Sequence, residues 1–276
     1  VSKNLLLLDG DIFAFQACAA AEQEDDLGDG FTVLWSDWQY ALQIAKDKID
    51  SLADRLKADR VVFCLTDTDN WRKDVLPTYK SNRAGVRKPI ALHKVRQKLF
   101  EEYPSECWPR LEADDVMGIL ATKQDYFPDH KKIIVSEDKD LGNIPCYLFN
   151  PAKDSRPRKV SVEEADRFFF AQAIGGDAVD GYGGCPNVGV NTALKHLEEL
   201  SGYEPYSHTF KSGKRKGESE TRWRRVELPD YWSVVTSLYA KAGLGEEYAL
   251  TQARVARILR AEDYDFDNQK PILWRP

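Results

Sequence analysis

The chain has 276 residues, 42% of them hydrophobic, with five cysteines and a net charge of −6. That length supports a sizeable core in one large domain or two smaller ones, and the longest early apolar run, Leu5 to Leu8, is too short for a membrane span or a secretory signal. Cys18, Cys64, Cys107, Cys146 and Cys185 include no close pair, which argues against a disulfide framework or a cysteine-based zinc site and points to a reducing cytoplasm.

Strands and helices alternate through the first half, the pattern of an α/β fold with a mostly parallel sheet. The run "KNLLLL" (3–8) predicts a buried strand that ends in "DGD". Helical spacing follows over 12–21 and, in a longer amphipathic form, over 35–56. "RVVFCL" (60–65) is a second buried strand leading into "TDTD". A helix with a proline start covers 88–103, and another begins at Glu112 in "RLEADDVMGIL" (110–120), where Ala113, Val116, Met117 and Leu120 recur at helical spacing. "KKIIVS" (131–136) is the third buried strand and leads into "EDKD". The most linker-like stretch is 150–159, after which the sequence turns helical, so the chain divides into 1–158 and 159–276.

Each buried strand stops at a pair of aspartates: Asp9 with Asp11, Asp67 with Asp69, and Asp138 with Asp140. One such aspartate is ordinary turn chemistry. Three strands of a parallel sheet, however, deliver their acids to the carboxyl edge where such sheets bind ligands. The first turn of the acidic helix adds Glu112, Asp114 and Asp115, more than compensation of a helix dipole requires. Uncompensated carboxylates repel one another, and hard divalent cations are the usual remedy. All-oxygen ligation suits Mg²⁺ or Mn²⁺, and His93, His130, His196 and His208 stand away from the acidic stretches, which argues against zinc. Two such ions together support phosphodiester hydrolysis.

Charge is unevenly spread. From Val75 to Phe100 there is no acid, while Lys80, Arg83, Arg87, Lys88, Lys94, Arg96 and Lys98 are basic, and a second basic cluster occupies 211–217 and 222–225. Basic segments beside dense acids suit a phosphate-rich ligand held over cations. In 175–197, Asp177 and Asp180 precede a turn containing Gly181, Gly183, Gly184, Asn187 and Gly189, with a helix starting near Gly189. Such a turn exposes backbone N–H groups to a phosphate.

The ordered motifs "LLLLDGD", "VVFCLTD", "LPTYKSNR", "LEADDV", "SEDKDL" and "GDAVDGYGGCPNVG" resemble the 5′ nuclease superfamily of flap endonucleases and 5′→3′ exonucleases, and within it most closely the exonucleases of T-seven-like podophages. The resemblance implies a PIN-like α/β nuclease domain with a mostly parallel central sheet flanked by helices, followed by a helical helix-hairpin-helix domain with a C-terminal extension. It implies metal ligands at Asp9, Asp67, Glu112, Asp114, Asp115, Asp138, Asp140, Asp177 and Asp180. Asp138 would bridge two Mg²⁺ ions, replaceable by Mn²⁺, with Asp140 and Asp180 toward the second; Asp11 and Asp69 match no family position. Lys80 and Arg83 match residues that contact the scissile phosphate, and Tyr79 could stack on an unpaired base. Arg87, Lys88, Gly183, Gly184, Asn187 and Gly189 complete the expected DNA contacts. Asn187 replaces a hairpin glycine common in cellular members and Gly181 replaces an Asn, which weakens the implied K⁺ site; Asn nevertheless tolerates left-handed backbone angles. Residues 201–229 lie outside the general family core and read as an addition that extends DNA contact.

The implied substrate is double-stranded DNA with 5′ ends or flaps, with RNA in an RNA–DNA hybrid as a second, in a phage-infected bacterial cytoplasm. Two other readings compete. In a haloacid-dehalogenase-like phosphatase Asp9 would be the nucleophile and Asp11 the general acid, which leaves Glu112, Asp114 and Asp115 without a role. A non-catalytic DNA-binding relative would have no reason to tolerate the crowded acids.

Overall fold

The computed structural model describes residues 3–276, and the chain forms two compact units that interleave along the sequence. The first holds the chain up to Trp71, Gly85–Val162 and Ile258–Ile272; the second holds Arg72–Ala84, Glu163–Arg257 and Leu273–Pro276. A single cut after residue 158 therefore misses two exchanges. Within the second unit, the buried Arg72 guanidinium donates to the carbonyls of Val255 (2.9 Å) and Arg257 (2.7 Å). Within the first, Leu259 N donates to Asp115 Oδ1 at 3.1 Å and ties the returning chain to the acidic helix.

The first unit begins with β1 (Lys3–Asp9) and α1 (Gly10–Ala21), followed by a hairpin of β2 (Glu22–Asp26) and β3 (Thr32–Ser36). Next come α2 (Trp38–Leu56) and β4 (Ala58–Cys64); α3 (Arg72–Val75) belongs to the second unit. The first unit resumes with α4 (Leu92–Glu102), β5 (Ser105–Glu106), α5 (Ala113–Thr122), β6 (His130–Val135), β7 (Tyr147–Phe149) and β8 (Arg158–Lys159). The sheet runs β5-β4-β1-β6-β7-β8, parallel throughout except for β8. β1 lies between β4 and β6 and is covered on both faces, which is why Leu5 to Leu8 form an unbroken apolar run with no exposed surface. Leu6 and Leu8 pack with Phe13 and Ala17 of α1, Ala45 and Ile49 of α2, and Val95 and Leu99 of α4. Alternation turns Leu5 and Leu7 to the opposite face, and α5 packs on β1, β4 and β6.

The hairpin of β2 and β3 falls largely between the two helices expected over 12–21 and 35–56, and the second of these starts at Trp38, capped by Asp37. Its first strand, "EQEDD", lacks the alternation that marks a strand; the turn between its arms relies on Gly28 and Gly30 at φ +83° and +79°.

The second unit contains α6 (Val162–Gly175), α7 (Val190–Glu198), a long hairpin of β9 (Ser201–Thr209) and β10 (Ser219–Glu227), then α8 (Tyr231–Lys241) and α9 (Glu246–Ala256). Ile174, Ala193, Leu197, Val235, Leu238 and Tyr239 fill its core. It is helical as expected apart from the hairpin. Short strands β11 (Tyr264–Asp265) and β12 (Lys270–Pro271) close the part of the chain that returns to the first unit.

Candidate active site

Register brings the strand-end acids of the first unit to one rim. Asp9 stands opposite Cys64 of β4, and Leu8 pairs with Val135, so Ser136 is the next residue along β6 from that pairing. Asp9 caps α1, its Oδ1 accepting from Ile12 N at 3.1 Å, and its Oδ2 accepts from Ser136 Oγ at 3.3 Å. The same hydroxyl accepts from Asp138 N at 3.1 Å, and Asp138 Oδ1 accepts from Asp140 N at 2.8 Å as that turn opens. Ser136 thus couples the first and third acidic turns, a role sequence inspection missed because a serine after a strand carries no distinguishing signal.

Asp9 is 4% exposed. Burial pushes its carboxyl up to about 7, reinforced by the charges of Asp11 and Asp138 and opposed by the bonds from Ile12 and Ser136. The neighbouring Cys64 thiol is pushed well up, first by burial and then by Asp9, Glu106, Asp114 and Asp11. The rim is therefore strongly acidic.

Asp67 accepts from Arg110 N at 2.7 Å, which with other backbone donors holds its carboxyl below the usual range. Asp69 pairs with Arg110 Nε at 2.8 Å. Glu112 is buried at the N-terminus of α5, and Asp114 is partly exposed on its first turn. Asp115 differs from both. It is wholly buried, with Oδ2 accepting from Trp71 Nε1 (3.0 Å) and the Glu112 amide (3.5 Å) and Oδ1 accepting from Leu259 N. Both Asp115 oxygens thus help to fix the helix start and the returning chain.

Among the described residues, no three His, Cys, Asp or Glu side chains converge closely enough as placed to hold an ion. The donor chemistry nevertheless fits Mg²⁺ or Mn²⁺, since Asp9, Glu112, Asp114, Asp138 and Asp140 offer hard oxygens and the buried Asp9 carboxyl lies in the field of other acids. An open hollow of about 180 Å³ adjoins Ser136 and Asp138, lined also by Lys139, Lys153 and Arg158.

In the second unit, the two motifs "YKSNR" and "GDAVDG" form one structure. Asp180 Oδ2 accepts from Tyr79 Oη at 2.9 Å and lies 3.6 Å from Lys80 Nζ, while Oδ1 pairs with Arg83 Nη2 at 2.6 Å. Lys80 N donates to the Asp180 carbonyl (2.8 Å), and Asn82 Nδ2 donates to the carbonyls of Ala178 (3.0 Å) and Val179 (3.2 Å). Asp177 Oδ1 closes the turn by accepting from Val179 N (2.7 Å) and Asp180 N (3.2 Å). Tyr79 is 3% exposed among Phe169, Ala173 and Tyr182, which corrects the stacking expectation: the ring is core and the phenol is a donor to Asp180.

The glycine turn joins α6 to α7, and Gly189 caps α7 as expected. Gly184 has φ +63°, and a Cβ there would stand 2.3 Å from Gly176 N. Asn187 takes φ +63°, the left-handed angle its residue type tolerates. Gly183 is exposed beside this turn, and a Cβ there would meet Tyr248 Oη at an ordinary 3.8 Å. Arg87 is paired with Glu22 through both terminal nitrogens at 2.8 Å, and Lys88 is exposed in the first unit.

Residues 4–149 match the model of the 5′-3′ exonuclease N-terminal resolvase-like domain. The exodeoxyribonuclease of Enterobacteria phage T3 and the exonuclease of Escherichia phage T7 are each 37% identical across 99% of this chain, covering 93% and 94% of those proteins. The T5 D15 protein co-crystallised with metal ions has the same fold, with a TM-score of 0.62 at 16% identity over 93% of this chain and 90% of that one. The phosphatase reading fails against these relatives, and Asp11, its required acid, is held by Arg96 Nε (2.7 Å) and Thr66 N (2.8 Å). The chain belongs to the 5′-3′ exonuclease family and is a nuclease, a phosphodiester hydrolase.

Proposed function

We propose that the chain hydrolyses duplex DNA from 5′ ends in the 5′→3′ direction to 5′-phosphorylated nucleotides, using Mg²⁺, with Mn²⁺ as a substitute. The observation that carries this reading is the linkage of the strand-end acids on one rim, where Ser136 Oγ donates to Asp9 and accepts from Asp138 N, and Asp138 in turn accepts from Asp140 N. Asp9, Asp67, Glu112, Asp114, Asp138 and Asp140 hold the cations in this reading, and Ser136 and Asp115 set their positions. Divalent ions bound there would supply activation of a water and neutralisation of charge on the phosphoryl oxygens.

In the second unit, Lys80 and Arg83 contact the substrate phosphate, and Asp180 orients both cations while Asp177 shapes the turn that carries it. This reassigns Asp180 from ligand to positioning residue, supported by its bonds to Tyr79, Lys80 and Arg83. The turn between α6 and α7 is the helix-hairpin-helix element and offers the N–H groups of Gly183 and Gly189 to the backbone, whereas the buried Gly184 N–H donates to Gln252 Oε1 at 2.9 Å, so Gly184 shapes the turn and is not a DNA contact. Flaps and RNA in RNA–DNA hybrids are further substrates in this reading, because its contacts address backbone rather than base edges. The five free thiols support a reducing compartment, the cytoplasm of an infected bacterium.

A blunt duplex labelled at one 5′ end or one 3′ end, incubated with Mg²⁺ or EDTA, tests the proposal. The 5′ label should appear first in mononucleotides, with no release in EDTA. Earlier release from the 3′ end, or cleavage indifferent to EDTA, sinks it.

A further inference from the structure

The hairpin of β9 and β10 is an addition whose architecture needs a reason. Each strand has nine residues, about 30 Å when extended. Its base is anchored where Ser201 and Gly202 are buried, where His196 Nδ1 meets the Ser201 carbonyl at 2.8 Å, and where Tyr203 N donates to Ser237 Oγ of α8 at 3.2 Å. Beyond this base, Pro205, Tyr206, Ser207 and Thr209 are exposed. A lone two-stranded ribbon is marginal in water.

Paired charges brace it. Arg224 stands directly opposite Glu204 and bonds to it, and Arg225 bonds to Glu199. Arg222 Nε reaches Glu220 at 2.8 Å, and Arg215 reaches both Glu218 and Glu220 at 2.9 Å. Phe210 lies against the Arg215 guanidinium (4.0 Å) and the Arg222 guanidinium (5.5 Å), which shapes the tip. Every arginine of the ribbon is thus matched by a glutamate.

The lysines are not. Lys211, Lys214 and Lys216 are exposed, and among the described residues none pairs with an acid. They share residues 210–217, a segment with no acid at all. A solvated charged ribbon needs no such sorting, in which the paired charges brace the strands and the unmatched ones gather at one end. The contrasting hairpin of β2 and β3 carries Glu22, Glu24, Asp25, Asp26 and Asp29 without a single basic residue.

We propose that the tip of the β9–β10 hairpin is a second DNA-binding site, gripping duplex phosphates through Lys211, Lys214 and Lys216 without sequence preference. The inference rests on the duplex-nuclease reading for its ligand but not for its test. Neutralising three phosphates releases their counterions, which steepens the salt dependence of binding by about 2.7 in the log–log slope.

The experiment measures binding of the full chain to a fluorescent blunt duplex of about 30 bp in EDTA, from about 50 to 200 mM NaCl. The triple substitution K211A/K214A/K216A should flatten the slope by about 2.7, making the weakening over that range about 40-fold smaller than for the unaltered chain. Lys214→Glu alone should lower affinity at low salt, and thermal melting of both variants should match that of the unaltered chain. Equal slopes for the triple variant and the unaltered chain, with both folded, overturn the assignment. Failure of the unaltered chain to release a 5′ label with Mg²⁺ would instead count against the nuclease reading, whatever the slopes.

Discussion

Asp9→Asn should stabilise the metal-free protein at neutral pH while abolishing hydrolysis. The carboxyl is buried, and its ordinary value of 3.8 rises to about 7, chiefly from burial. A group that holds its proton more tightly when folded contributes stability that is fully present below the unfolded value and is lost as pH rises through the folded one. Between pH 4 and 7 the loss is on the order of 4 kcal/mol, a large fraction of a typical domain's stability. Asparagine removes the charge and can keep the bonds, since its oxygen still accepts from Ile12 N and its amide can donate to Ser136 Oγ. Urea unfolding in EDTA at pH 5 and pH 8 reads the effect. The variant should be markedly more stable than the unaltered chain at pH 8, with a much smaller difference at pH 5. Added Mg²⁺ should raise the stability of the unaltered chain and leave the variant's nearly unchanged. A stability difference that is the same at both pH values would refute the reasoning, because it would mean that ionisation of Asp9 carries no folding cost.

Three further outcomes follow from the geometry. Asp115→Ala should cost about 2 to 4 kcal/mol in urea unfolding, because it leaves Trp71 Nε1 and Leu259 N without their buried acceptor; Asp114→Asn should cost under about 1 kcal/mol yet lower the single-turnover rate at least about tenfold. Tyr79→Phe should lose about 1 kcal/mol of stability with its bond to Asp180 and leave single-strand affinity unchanged, whereas a loss of about tenfold in that affinity would restore the stacking reading. Gly184→Ala should destabilise the second unit by about 2 kcal/mol or more in thermal unfolding, while Asn187→Gly should be close to neutral, since both positions have φ +63° but a Cβ at Gly184 meets backbone at 2.3 Å.

What the sequence made legible depended on local signals that packing reinforced. The all-apolar strand Leu5–Leu8, the acids after each buried strand and the left-handed tolerance of Asn187 could all be read because burial, turn chemistry and backbone angle act within a few residues. The two hairpins could not. "EQEDD" pairs through backbone bonds around a glycine turn, and the β9–β10 ribbon is braced by cross-strand Arg–Glu pairs, so neither carries an apolar alternation. The interleaving of the units was equally hidden, since it turns on Arg72 donating to carbonyls more than 180 residues away and on Asp115 accepting from Leu259. Asp115 and Asp114 show why residue type alone is an incomplete guide to a site. They are neighbours in one helical turn, equally acidic and equally compatible with a metal, but about 100° of helical rotation separates them. That rotation sends Asp115 to Trp71 and Leu259 and leaves Asp114 partly exposed within the acidic field around Cys64. The helix therefore needs the buried acid to hold the other at the rim, and substitutions at the two positions should separate folding from chemistry.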